Sequence, residues 1–236
     1  MKRTLIISAF LTSTLLGAPL ARAADGPLAF GVSAFGGGTF TPLFDVHGDD
    51  PENHTTLTFE DQDVDAAAVF GLQGGVAYLM PWGSLGVVVD GRFSKPVQQA
   101  ATYRLTGVAD GEPFEDSIDL PRIENENLLV TVSLAARFAF AKSGSRPDGA
   151  FGLVVGAGAG VERQKLAFDD EAQLRLSDSS PAFTAFLGGD AALTSQLAAF
   201  FEYRFSTAEH TYTFGTELDT NRNSMHHVVA GLRLGF

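Results

Sequence analysis

The chain has 236 residues, 11% of them aromatic, with 26 glycines, no cysteine and a formal charge of −12. The lack of cysteine excludes disulfides, thiol chemistry and lipoprotein acylation. The acidic balance argues against nucleic acid as a partner, and against direct docking on anionic lipid head groups unless divalent cations bridge the two.

Taken in chain order, the first segment is a targeting signal. Lys2 and Arg3 precede an apolar stretch from Leu5 to Leu16, and Ala21-Arg22-Ala23 has the A-x-A form of a cleavage site. Residues 1–23 are therefore expected to be a secretory signal peptide, and 24–236 a single barrel domain. Loss of Lys2, Arg3 and Arg22 takes the formal charge from −12 to −15.

The mature part alternates with period two, as strands with two different faces do. The first strand, Leu28 to about Phe40, is the least regular, because Gly36-Gly37-Gly38 interrupts it and predicts a bulge. In the second, Phe70, Leu72, Val76, Tyr78 and Met80 oppose Gly71, Gln73, Gly75 and Ala77. In the third, Leu85, Val87, Val89 and Phe93 oppose Gly86, Val88, Asp90 and Arg92. Residues 66–89 carry no formal charge, but Pro81-Trp82-Gly83-Ser84 divides them into a hairpin rather than a membrane helix.

Leu128 to Phe140 alternates against Thr131, Ser133, Ala135 and Arg137; Phe151 to Val161 alternates against glycines and Glu162. Phe183 to Leu193 runs against Thr184, Phe186, Gly188 and Asp190; Leu197 to Phe205 runs against Phe200, Glu202, Arg204 and Ser206. In the last strand Val228, Ala230, Leu232, Leu234 and Phe236 oppose His227, Val229, Gly231, Arg233 and Gly235. These are eight segments of about the ten residues that a tilted membrane strand needs.

Connections at 81–84, 143–149 and 194–196 are short, while those at 42–65, 103–126, 165–181 and 208–224 are long and polar. Strict alternation of short and long connections fits an all-β, eight-stranded antiparallel up-and-down transmembrane barrel with tight periplasmic turns and both termini on that side. One face holds large rings and aliphatics. The other mixes glycine with Asp90, Glu162, Asp190 and Glu202 and with Arg92, Arg137, Arg204 and Arg233. Four acids against four bases make a neutral set, as the packed interior of an eight-stranded barrel requires. These eight residues are expected to form an interior charge network of structural rather than catalytic role.

The closing Val229-Ala-Gly-Leu-Arg-Leu-Gly-Phe236 is similar to the assembly signal read by the outer-membrane insertion machinery, carried by Gly231, Leu232, Leu234 and Phe236. Val229 departs from that pattern, which prefers a polar residue. Val154-Val-Gly-Ala-Gly-Ala-Gly160 and Phe201-Glu-Tyr-Arg-Phe205 resemble strands of the outer-membrane β-barrel superfamily of OmpA-like and opacity-type proteins. The resemblance implies a Gram-negative outer-membrane location and contact with lipid and lipopolysaccharide. It leaves function open, since the fold hosts adhesins, structural barrels and enzymes. The glycine-rich strand, Phe201-Glu-Tyr-Arg and the closing strand also resemble the lipid A oxidase family, which implies lipid A modification as an alternative.

Other constellations are weaker. The G-x-G-x-G run at 156–160 lies in a strand and lacks the lysine of a phosphate loop. The first long connection holds eight carboxylates between Asp45 and Asp65, with His47 and His54, but in no ordered calcium spacing. His226 and His227 point to opposite faces and do not chelate together. Ser206, Glu209 and His210 offer the residue types of a hydrolase without a recognisable spacing. The sequence thus predicts a monomeric barrel without cofactor or metal, its interior filled and not porin-like, serving envelope integrity or surface interaction through acidic loops.

Overall fold

The structure is a computed structural model that describes residues 27–40, 44–50, 55–62, 66–98, 101–109, 112–120, 122–141, 150–168, 175–214 and 216–235. Its strands in chain order are β1 (Leu28–Phe40), β2 (Phe44–Asp50), β3 (Thr55–Gln62), β4 (Ala67–Met80), β5 (Gly83–Ser94), β6 (Val97–Gln98), β7 (Ala101–Ala109), β8 (Glu112–Leu120), β9 (Ile123–Phe140), β10 (Phe151–Phe168), β11 (Arg175–Ala192), β12 (Leu197–Phe214) and β13 (Thr216–Gly235). Residues 1–23, where the sequence leads one to expect a signal peptide, and Phe236 lie outside the described residues.

Strands β1, β4, β5, β9, β10, β11, β12 and β13 form a closed, eight-stranded, all-antiparallel up-and-down barrel. Closure comes from two ladders: β1 meets β13 from Gly31↔Gly235 to Phe40↔His226, and β9 meets β10 from Phe151↔Phe140 to Phe168↔Ile123. A closed wall leaves no barrel edge open to further pairing. The segment 66–89 forms the β4–β5 hairpin.

Two features depart from the sequence reading. Both ladders of β1 run through Gly36-Gly37-Gly38 without a register shift, so there is no bulge. Gly37 instead answers a close approach: a side chain there would overlap the Val228 carbonyl. The strand reads irregularly because Phe35 points inward and is 6% exposed.

The long connections also carry strands. Parts of 42–65 and 103–126 form a second antiparallel sheet, β2-β3-β7-β8. Parts of 165–181 and 208–224 are upward continuations of β10, β11, β12 and β13, which reach 18 to 20 residues against 12 to 14 for β1, β4 and β5. The wall is therefore high on one side, and the second sheet grows from connections on the low side.

The polarity of the wall is inverted relative to a water-soluble barrel. Leu72 is 70% exposed and Leu134 66%, whereas Glu162 and Glu202 are 0% exposed. On β10 the outward apolar run spans Phe151 to Val161. Ten strand steps of about 3.4 Å, tilted by roughly 40–45°, give a belt about 25 Å tall, the height a membrane barrel presents to lipid. Aromatic rings mark both borders: Trp82 packs on Phe138 at 5.2 Å near the short turns, and Tyr203 and Phe205 flank His226 near the other.

Above Val161 the polarity switches within the same strands. Arg163 and Lys165 now point outward, while Leu166 joins Ile123 and Leu176 in an interior apolar cluster. Apolar-inside is the arrangement that water outside requires, and apolar-outside the one that hydrocarbon requires.

Candidate functional site

The barrel interior holds every charge that the alternating face supplies. Seven of the eight predicted residues form one chain of alternating sign along the barrel: Arg92, Asp90, Arg204, Glu202, Arg233, Asp190 and Arg137. Arg92 Nε lies 3.1 Å from Asp90 Oδ2. Arg204 donates to Asp90 through Nη1 and to Glu202 Oε2 through Nε and Nη2, at 2.9 and 2.6 Å. Arg233 links Glu202 Oε1 and Asp190 Oδ2, each at 3.3 Å. Arg137 closes the chain with a bidentate pair on Asp190, Nε to Oδ2 at 2.8 Å and Nη2 to Oδ1 at 2.7 Å. Each link is set by register, since β11, β12 and β13 bring Asp190, Glu202 and Arg233 inward on neighbouring strands.

Neutral groups complete this chain. The Thr131 hydroxyl donates to Asp90, and Gln73 Oε1 accepts from Arg204 Nη2 at 3.2 Å and from Ser33 at 3.1 Å. The Arg204 guanidinium also lies over the Phe35 and Phe186 rings, at 4.4 and 5.4 Å, and Arg233 lies over Phe200 at 5.0 Å. Such stacking suits a planar, weakly hydrated cation held out of water. Each ring has a glycine facing it across the ladder: a side chain at Gly71 would overlap Phe35, one at Gly156 would overlap Phe186, and one at Gly231 would crowd Phe200.

The sequence places Phe186 and Phe200 on this face but offers no reason to single them out. The usable signal was the pairing of large rings with glycine on the same minor face. Below them the barrel opens toward the short turns as a cavity of about 260 Å³, lined by Ser33, Gln73, Arg137, Phe186, Asp190 and Arg233 among others.

Glu162 stands apart, with no arginine partner among the described residues. Its Oε1 accepts from Asn223 Nδ2 at 2.6 Å and lies 3.3 Å from His210 Nε2. His210 Nδ1 lies 3.1 Å from Asp178 Oδ2. A carboxyl oxygen thus faces each nitrogen of the His210 ring. Burial works to raise the Asp178 carboxyl, but hydrogen bonds from Ser180, from the Ser179 and Thr211 backbone and from His210 outweigh it and hold the group below the usual carboxylate range.

This upper interior is less completely satisfied than the lower. Thr39 Oγ1, Asn127 Nδ2, Glu162 Oε2, Asn223 Oδ1 and His227 Nδ1 are buried without a hydrogen-bond partner, as are Nε and Nη1 of Arg92 at the end of the chain of charges. Groups of this kind in a polar chamber are the usual seats of buried water.

The remaining candidates separate. His227 faces inward, with Nε2 3.3 Å from Ser206 Oγ, whereas His226 faces outward onto the Tyr203 hydroxyl. Ser206 and His210 are buried on the inner face, and Glu209 stands on the outer face, so the three do not converge. Gly231 lies in the interior, Leu232 faces outward and Leu234 is half-buried. Side chains of the acidic stretch from Asp45 to Asp65 lie outside the described residues, although its backbone contributes β2 and β3.

No protein-family model and no curated protein matches this chain. Among solved structures it is similar to Neisserial surface protein A (NspA), at 13% identity and a TM-score of 0.48, covering 88% of this chain and 99% of that one. It is also similar to the outer membrane protease OmpT from Escherichia coli, at 9% identity and a TM-score of 0.47, covering 92% and 99%. The attachment invasion locus protein Ail of Yersinia pestis matches at 15% identity and a TM-score of 0.40, covering 89% and 99%. These likenesses concern general barrel form.

Proposed function

We propose that the chain is an integral outer-membrane protein whose barrel is a sealed, non-conducting anchor and whose second sheet and upper wall act at the cell surface, in surface interaction or envelope integrity. The observation that carries this reading is the pairing of an apolar outer belt with an interior crossed by an alternating-sign chain. An eight-stranded barrel has room inside for side chains only, and here those side chains are ion-paired across it. Opening a path would separate buried charges, which is strongly unfavourable. The signal-like segment 1–23 supports export.

The test is made on the protein in its own envelope. It is expected to fractionate with outer membranes, to migrate differently on a denaturing gel when unboiled, and to leave planar bilayers without steady channel currents. Recovery as a soluble periplasmic protein with identical boiled and unboiled mobility would sink the reading. A deletion strain is expected to keep its lipid A mass profile. A lost modification restored by the gene would favour lipid A modification instead.

A further inference from the structure

At the level where the wall changes polarity, the outer face of β5, β9, β10 and β11 carries a cluster of cations on an otherwise acidic chain. Lys95 stands just past the end of β5, two residues after Phe93, Arg163 and Lys165 follow Val161 on β10, and Arg175 stands at the start of β11, all exposed. The register packs them together: Arg163 lies opposite Ser179, Lys165 opposite Ser177, and Ala167 opposite Arg175. On the other side of β10, Lys165 lies opposite Glu126.

Among the described residues two acids share this face, and both are already occupied. Glu124 pairs with Lys95 at 2.6 Å and with Arg122 at 3.2 Å, and Glu126 pairs with Lys165 at 2.9 Å. The hydrogen bond from Lys95 holds the Glu124 carboxyl below its ordinary value. Arg163 and Arg175 have no ion-pair partner among the described residues. They sit about four strand steps, or roughly 14 Å, apart along the wall, with Lys165, Ser177 and Ser179 between them.

We infer that this face binds the phosphorylated head groups of lipopolysaccharide in the surrounding leaflet. The inference rests on the membrane reading above, because that reading sets the height at which the cluster meets lipid. Arg163, the first outward residue above the belt on β10, is level with the head groups, where phosphate is the anion within reach, and Lys165 and Arg175 continue the same face upward from it. Guanidinium is suited to phosphate because its planar fork donates two parallel hydrogen bonds. The exposed hydroxyls of Ser177 and Ser179 add donors on the same face. Direct docking on anionic lipid, which the net charge alone argues against, is thus favoured locally: among the described residues the carboxylates of this patch, Glu124 and Glu126, are ion-paired and its cations outnumber them.

The test uses the full-length chain in zwitterionic detergent, titrated with lipopolysaccharide, with the same lipid after removal of its phosphates, and with inorganic phosphate. Affinity for the intact lipid is expected to fall about fivefold for Arg163→Gln or Arg175→Gln alone, and roughly a hundredfold when both are combined with Lys165→Gln. The dephosphorylated lipid should bind the unaltered protein about as weakly as the intact lipid binds the triple variant, and inorganic phosphate should not compete. A triple variant within about twofold of the unaltered protein, equal binding of the dephosphorylated lipid, or effective competition by inorganic phosphate each overturns the inference. The unboiled mobility shift, read on the same samples, separates this failure from failure of the barrel reading: if the shift persists while lipid selectivity is absent, only the lipid site is lost.

Discussion

The lower and upper parts of β10 are one continuous strand built on opposite rules. From Phe151 to Val161 the outward residues are apolar and the inward ones are mainly glycine, ending at Glu162. From Arg163 the outward residues are charged, and Leu166 turns inward to Ile123. Backbone pairing to β9 and β11 does not change across the switch. What changes is the medium outside. Where the wall meets hydrocarbon, the interior takes the charges and arranges them in alternating sign. Where the wall meets water, the outside takes them and the interior becomes partly apolar.

The largest effect should come from breaking the interior of the lower part. Arg204 is 1% exposed and bridges Asp90 and Glu202. Arg204→Leu leaves buried carboxylates short of a partner and should lower unfolding stability in vesicles by about 3–5 kcal/mol. A loss below about 1 kcal/mol would mean that the chain of charges is replaceable.

Next comes the outer wall. Ala157→Arg places a charge within the belt and should lose about 2–4 kcal/mol. The same change at exposed Thr211, above the belt, should stay within about 0.5 kcal/mol. Equal costs at the two positions would erase the boundary between the two parts.

A somewhat smaller loss is expected from crowding a ring. Gly156→Leu drives a side chain into Phe186 and should cost about 1–3 kcal/mol. Shortening the ring with Phe186→Leu in the same chain should recover part of that loss. If the second change adds to the loss instead, the ring and the glycine are not complementary.

The smallest effect concerns the upper interior alone. Asp178 is held below the usual carboxylate range, so its contribution is present above the ordinary carboxyl pKa of about 4 and is lost as pH falls through the lower folded value. Below about pH 4, amide exchange near 175–180 and 209–211 should quicken before exchange in the lower strands does, and Asp178→Asn should flatten that dependence. Loosening of both parts together would show that the upper part has no separate acid response.

The same contrast explains what was legible in the sequence. Alternation marks the belt-spanning halves because large apolar residues there face glycine or charge on every second position. It fades above Val161, where Arg163, Gln164, Lys165, Asp178 and Asn223 place polar groups on both faces, so strands that continue read as loops. The charged face was legible as a neutral set. Which arginine meets which acid was not, because that depends on the stagger of eight strands around the barrel. The stagger joins seven of the charges and leaves Glu162 to His210 and Asn223. Net charge hid the cations around Arg163, since a sum over the chain says nothing about which residues share one face.

The inverted wall can be measured residue by residue, because the chain has no cysteine of its own. Single cysteines introduced along 183–188 of β11, each carrying a fluorescent or spin label in reconstituted vesicles, would be challenged with lipid-borne and water-borne quenchers. Period-two alternation is expected, with labels at 183, 185 and 187 quenched from the lipid and those at 184 and 186 shielded from it. Uniform quenching along the segment, or lipid access at 184 and 186 with water at 183, 185 and 187, would contradict it.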